Sequence, residues 1–220
     1  MKNSLLTALL LLLVPMAFAC LAAADGPGMS VTVDSIDCAS RDVIEEINAA
    51  RTDPGKYAGH LREWKKLYDG KRVWLSRTYY LQMQEDAKAV DEAIRFLKKQ
   101  KPVGPLTRSE GLERAAREHV DKQGAAGQTG HVSPDGLSMS DRVGRCGTWQ
   151  KTIGENISYG TDDPRRIVML WIIDDGVPGR GHRNNLFNPD FKVAGAAVGP
   201  HKVHGTVCVV DMAGGFEPSE

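Results

Sequence analysis

Four short stretches each set an ionisable side chain among glycines and turn-forming residues. They are His131 in TGHVSPDG, Glu155 in IGENISYG, Asp174 in LWIIDDG and His182 in GRGHRNNLFNP. Neutral imidazoles suit Zn²⁺, and carboxylates can orient them or hold a water. Two histidines are an incomplete shell, because structural zinc takes four protein ligands and catalytic zinc normally three. The expectation is therefore a weakly held, exchangeable divalent ion, with zinc ahead of magnesium or calcium. No pair of cysteines is two residues apart, so a thiolate zinc site has no support.

Asp174 and Asp175 break a local rule. They follow the apolar run 167–173, which reads as a helix opened by Asp163 as N-cap and Pro164 at the first helical position. The C-terminus of a helix carries partial negative charge, so a carboxylate there costs from a few tenths to ~1 kcal/mol. A broken rule points to a site or to a compensating cation, and Arg183 is a candidate for that cation. His182 comes eight residues after Asp174 across a Pro/Gly loop, which can fold the imidazole back over the helix end. Read singly, His131 and Glu155 are ordinary loop residues.

The elements that must position these groups follow from periodicity and caps. Residues 25–39 are small and polar and read as a flexible lead-in to a domain spanning 40–220. Ser40 reads as the N-cap of a first helix that buries Val43, Ile44, Ile47 and Ala50, and Asp53-Pro54-Gly55 breaks it. A second helical piece covers about 56–68. Residues 71–83 fit either a short strand or an aromatic-rich loop. Residues 85–100 read as a helix with Ala89, Val90, Ala93, Ile94 and Leu97 on one side. Thr107 and Glu110 have capping-box spacing before a helix whose inner stripe includes Leu112, Ala115, Ala116, His119 and Val120. Residues 124–136 read as loop. The runs 193–199 and 204–215 read as adjacent strands. Helices first and strands last, without βαβ alternation, indicate an α+β layered domain.

In order along the chain, His131, Gly154-Glu155-Asn156-Ile157, Trp171-Ile172-Ile173-Asp174 and His182-Arg183-Asn184-Asn185 resemble the signature of the CAP superfamily of cysteine-rich secretory, antigen 5 and pathogenesis-related proteins. The terminal CVVDMAGGF resembles that family's last strand, and the resemblance covers nearly all of residues 40–216. It implies a three-layer α–β–α sandwich with a central antiparallel sheet. It also implies an open cleft lined by two histidines and two acids, here His131, His182, Glu155 and Asp174, with Asn156, Asp175 and Arg183 beside them. Asp174 stands where many relatives carry Glu, so Asp175 is a candidate substitute. Arg183 stands where an aromatic is usual, as in bacterial-type members. The stretch 61–105 is a long insertion, which either covers the cleft or packs outside it.

The first two dozen residues read as an export signal. Lys2 precedes an apolar run from Leu5 to Val14 that is too short to span a bilayer, and Ala22 to Ala24 supply a cleavage site. Cleavage before Cys20 would instead produce a lipid-anchored protein. The mature chain is thus secreted or periplasmic, with no transmembrane segment. The 28 basic and 28 acidic residues of the full sequence balance and form no long block, which argues against a nucleic-acid partner or a polybasic membrane patch. Cys38, Cys146 and Cys208 cannot all pair within one chain. Cys146–Cys208 is the expected disulfide, with Cys38 free or paired between chains.

Two functions fit. One is a monomeric binding module whose metal-occupied cleft takes a small molecule, a lipid such as a sterol, or a protein. The other is a metal-dependent, peptidase-like hydrolase in which Glu155 acts as general base, with Asp174 as a second catalytic acid. No HExxH and no nucleophile elbow supports the second.

Overall fold

Three long strands decide the architecture of the computed structural model, which describes residues 33–219, with side chains from Ser40 on. Strand β5 (Gly147–Tyr159) pairs antiparallel with β7 (Gly205–Pro218), and β7 pairs antiparallel with β6 (Val193–His201). The two-residue β4 (Thr107–Arg108) adds a short parallel edge beside β6, giving the order β4-β6-β7-β5. The alternation of side chains along β7 sends Cys208, Val210 and Met212 to one face and Val207, Val209 and Ala213 to the other.

Helices cover both faces. On the Val207 side lie α4 (Glu110–Ala126) and α5 (Met139–Cys146). On the Cys208 side lie α1 (Val33–Thr52), α2 (Pro54–Lys65), α3 (Ala87–Lys99) and α6 (Pro164–Ile173), followed by the short α7 (Gly181–Leu186). This is the expected α–β–α sandwich. The insertion contributes α3 and a hairpin sheet of β1 (Tyr68–Asp69), β2 (Arg72–Trp74) and β3 (Tyr80–Gln82). Among the described residues no helix is long and apolar enough to cross a membrane.

Local chemistry explains most helix starts. Asp53 accepts from the backbone of Lys56 with Pro54 at the first turn, and Asp163 accepts from Arg166 ahead of Pro164. Two expected caps move. Helix α1 begins at Val33, so Ser40 sits inside it, buried, with its hydroxyl accepting from the Val198 N–H of β6 at 3.2 Å. The cap of α4 is Ser109, because Thr107 is taken up by β4. The leader 1–24, including Cys20, lies outside the described residues, as do residues 25–32 and the side chain of Cys38.

Two glycines are required by close approach. A Cβ on Gly195 would lie 2.0 Å from the Glu113 nitrogen, so α4 rests directly on β6. A Cβ on Gly154 would lie 2.7 Å from the Phe191 ring, so the glycine of Gly-Glu-Asn-Ile lets the β6 approach pack against β5.

The expected Cys146–Cys208 disulfide does not form, and both thiols are free. Cys208 faces the α1/α6 layer, whereas Cys146 packs with Val143 and Phe216 on the α4/α5 side. The sheet stands between them, and no rotamer brings two sulfurs to bonding distance through it. Burial pushes the Cys208 thiol up, which keeps it protonated and inert. Alkylation of the native protein should therefore modify Cys146 and spare Cys208 until denaturant is added. A peptide joining the two, recovered from unreduced protein by mass spectrometry, would contradict this arrangement.

Candidate functional site

The site is built on the edge strand β5. Its consecutive residues Glu155 and Asn156 point to opposite faces and reach the loop that carries His131 and the short helix α7 that carries His182. Glu155 Oε1 lies 2.7 Å from His131 Nδ1. Asn156 donates from Nδ2 to the His182 carbonyl at 3.1 Å, and its own Oδ1 accepts from Asn185 at 2.9 Å. His182 Nδ1 in turn lies 2.7 Å from Asp174 Oδ1. Each histidine thus has its own acid, and one strand ties the two pairs together.

Asp174 shows how the broken rule is resolved. It takes the left-handed conformation, with φ 55°, and so turns off the end of α6. Its carboxylate instead meets the start of α7, where Oδ2 accepts from the His182 N–H at 2.8 Å and more distantly from that of Arg183. A carboxylate that would be unfavourable at a helix C-terminus becomes favourable beside free N–H groups at the next N-terminus.

Asp175 and Arg183 correct the sequence reading, which put them in the cleft. Asp175 accepts from the backbone N–H groups of Gln84 and Glu85 at 2.6 and 2.8 Å. Arg183 is buried; it donates to the Ile172 and Ile173 carbonyls and forms a two-pronged pair with Glu92. Both side chains are committed to the α6 end and the insertion. Arg183 is the compensating cation, but it neutralises carbonyls of α6 rather than the aspartates.

His131 is held by a buried polar network that the sequence did not advertise. Arg142 of α5 is fully buried and pairs with Glu155 Oε2 at 2.5 Å. The same guanidinium donates to the His131 carbonyl, the Ser133 hydroxyl and the Leu137 carbonyl, each at 3.1 Å. His119, also fully buried, has Nδ1 2.8 Å from the Ser133 hydroxyl and Nε2 3.0 Å from the Gly130 carbonyl. Burial first, and Arg142 beside it, lower the His119 pKa, so the ring is neutral. The arrangement that satisfies every partner has Ser133 donating to Nδ1 and Nε2–H donating to Gly130. Tyr159 accepts from the Gly130 N–H at 2.9 Å and donates to Gln123, whose amide also donates to Gly130. The backbone on both sides of His131 is thereby fixed, while its side chain stays 58% exposed.

Asp211 completes the network. It faces Glu155 across the β5/β7 pair, 1% exposed, and neither of its oxygens accepts a hydrogen bond from an N–H or hydroxyl donor. Burial, then the charge of Glu155, raise its pKa well above the ordinary aspartate value against the pull of Arg142. Of the two facing carboxyls, Asp211 is therefore the one whose protonated form is favoured. Burial also pushes Glu155 upward, but the hydrogen bond from His131 and the charge of Arg142 outweigh it and leave Glu155 lowered.

Three of these residues had a weak sequence signal: His119 in an apolar helical stripe, Asp211 inside the run CVVDMA, and Ser133 in a turn next to His131. Arg142 had none, because an arginine in a short Ser-capped segment reads as surface. His201, by contrast, is excluded as a metal ligand. Its Nε2 lies 2.8 Å from the Gln128 carbonyl, and its Nδ1 accepts from the N–H groups of Val203 and His204.

The model of the cysteine-rich secretory protein family, CAP, matches residues 44–212. The chain belongs to this family. Its CAP domain is similar to three solved bacterial structures. An outer surface protein of Borrelia burgdorferi is 20% identical, with 53% of this chain and 80% of that one covered and a TM-score of 0.44. An extracellular protein containing an SCP domain from Bacillus anthracis is 20% identical over 58% of this chain and 38% of its own, at TM-score 0.42. A cysteine-rich secretory protein of Staphylococcus aureus is 19% identical over 57% and 37%, at TM-score 0.37. No curated protein matches.

Two outcomes test the network of this CAP domain. Arg142→Ala leaves Glu155 buried without its cation and should cost about 3–5 kcal/mol in urea unfolding. The second concerns pH. Asp211 has a raised folded pKa, so its contribution to stability is fully present below the unfolded aspartate pKa and is lost as pH rises toward the folded value. Asp211→Asn removes that loss and can still donate to Glu155. Its stability relative to the parent should increase steadily from about pH 4 upward; parallel stability–pH curves would refute the raised Asp211 pKa.

Proposed function

We propose that the protein is an exported binding module whose CAP domain holds a divalent cation, zinc by preference, between His131 and His182. The observation that carries this reading is the shared geometry of the two imidazoles. Each directs Nδ1 at a buried carboxylate 2.7 Å away, which fixes the N–H on Nδ1 and leaves the Nε2 lone pair available. That is the arrangement in which a carboxylate hydrogen-bonded to the far ring nitrogen orients a metal-binding histidine. Among the described residues no group of three or more His, Cys, Asp or Glu side chains is placed to hold an ion. Two protein ligands therefore fit a weak, exchangeable ion completed by water or by a ligand's own donor atom.

Glu155 is ill suited to be the general base of a hydrolase. One oxygen is bound to His131 and the other to Arg142, its side chain is 1% exposed, and its pKa is lowered. Asp174 is similarly committed to His182 and the start of α7. Both acids act as orienting groups. These commitments support binding over catalysis, with a small molecule, a lipid or a protein partner supplying the remaining donors along the open edge of β5. Export rests on the apolar leader ahead of the domain.

Zinc titration by calorimetry tests the reading. His131→Ala/His182→Ala should abolish binding, and Glu155→Gln or Asp174→Asn should weaken it by about tenfold. Chelation should leave the thermal midpoint nearly unchanged, because a weak site adds little folding energy. Equal zinc affinity in the double-alanine variant and the parent would overturn the assignment.

A further inference from the structure

The polar contacts of Gln84, Glu85 and Glu92 with the rest of the domain converge on the turn that leaves α6 at Asp174 and leads into α7, where His182 lies. Asp175 is capped by the Gln84 and Glu85 N–H groups just before α3. Glu85 accepts from the Gly176 N–H at 2.8 Å and from both terminal nitrogens of Arg180, at 2.6 and 3.0 Å. Glu92, one face further along α3, takes the fork of Arg183 at 2.6 and 2.8 Å and lies 3.5 Å from Arg180 Nε. The two arginines then return to α6. Arg180 donates to the Asp174 carbonyl at 2.6 Å, and Arg183 donates to the Ile172 and Ile173 carbonyls. The Ile172 and Ile173 carbonyls end a helix and have no intrahelical partner, whereas that of Asp174 also accepts from the Val177 N–H.

The loop needs such a hold. Asp174 and Arg180 are both non-glycine residues in the left-handed region, at φ 55°, a conformation that persists only where its surroundings over-determine it. The arginine pairing lowers the pKa of both Glu85 and Glu92, which keeps them charged. Isolated surface pairs contribute little, but a bidentate network that also satisfies buried carbonyls is a different case.

We propose that the insertion is a brace for the His182–Asp174 half of the site, with Glu85 and Glu92 as positioning residues that act through Arg180 and Arg183. The proposal rests on the reading of His182 as a ligand-binding group only for its functional consequence. The brace acts on one histidine alone, since the hydrogen bonds of His131 run to Glu155 and Arg142.

The test uses the full chain with Glu85→Ala/Glu92→Ala, followed by amide hydrogen exchange and by long-range ¹H–¹⁵N correlation of the imidazoles. Protection of the His182 N–H should fall by about tenfold or more, with β7 amides such as Val209 unchanged. The His182 ring should pass from a single Nδ1–H tautomer to a mixture, while His131 keeps its signature. Glu85→Gln/Glu92→Gln, which keeps one acceptor oxygen on each side chain, should recover part of the protection. Parent-like His182 exchange and tautomer would overturn the brace, as would a uniform fall in protection that includes β7. Zinc affinity is read separately. Its absence in parent and variant alike would end the metal reading while a localised change at His182 still upholds the brace.

Discussion

The Glu155 carboxylate sits on an edge strand with His131 on one oxygen, the buried guanidinium of Arg142 on the other, and Asp211, its pKa raised by burial, across the strand pair. A charge this far from water is tolerable only when it is paired and fully hydrogen-bonded. That requirement propagates outward. Arg142 in turn gathers the carbonyls of His131 and Leu137 and the hydroxyl of Ser133 through one terminal nitrogen, while its buried Nε stays without a partner. Those same contacts fix the loop that presents His131. The site's rigidity on this side is thus a consequence of desolvating one carboxylate.

Buried arginines meet a recurrent need elsewhere in the domain. Arg51, at the end of α1, donates to the carbonyls of Gly104, Leu186, Asn188 and Phe191, and its burial lowers its pKa to about 10. Arg183 does the same for the last carbonyls of α6. In each case a guanidinium joins chain segments that lack regular pairing, because its planar fork reaches several backbone acceptors at once. The two halves of the site therefore share a strategy: a buried arginine holds a loop, and a carboxylate on that loop or beside it orients a histidine.

The legibility of the sequence varied by element for physical reasons. Helices α2, α3 and α6 were readable because aspartate caps and prolines act locally. Strands β6 and β7 were readable as apolar runs because both of their faces are covered. Strand β5 was not. As an edge strand it is exposed over Thr148 to Lys151, and its bulge between Gln150 and Ile153 breaks alternation, so Glu155 read as a loop residue. Helix α5 was hidden for the opposite reason, since its only long buried polar residue, Arg142, has the composition of surface.

By itself, the sequence determined the layered α+β class and the family and singled out four candidate side chains, because residue types, caps and apolar periods are local properties. Only the tertiary structure decided how the four divide. It paired His131 with Glu155 and His182 with Asp174, turned Asp175 and Arg183 toward the insertion, and set Cys146 and Cys208 on opposite faces of the sheet. Those outcomes depend on strand register, on the left-handed turn at Asp174 and on which buried charges find partners. Each is a contact between segments far apart in the chain, which spacing along it does not encode.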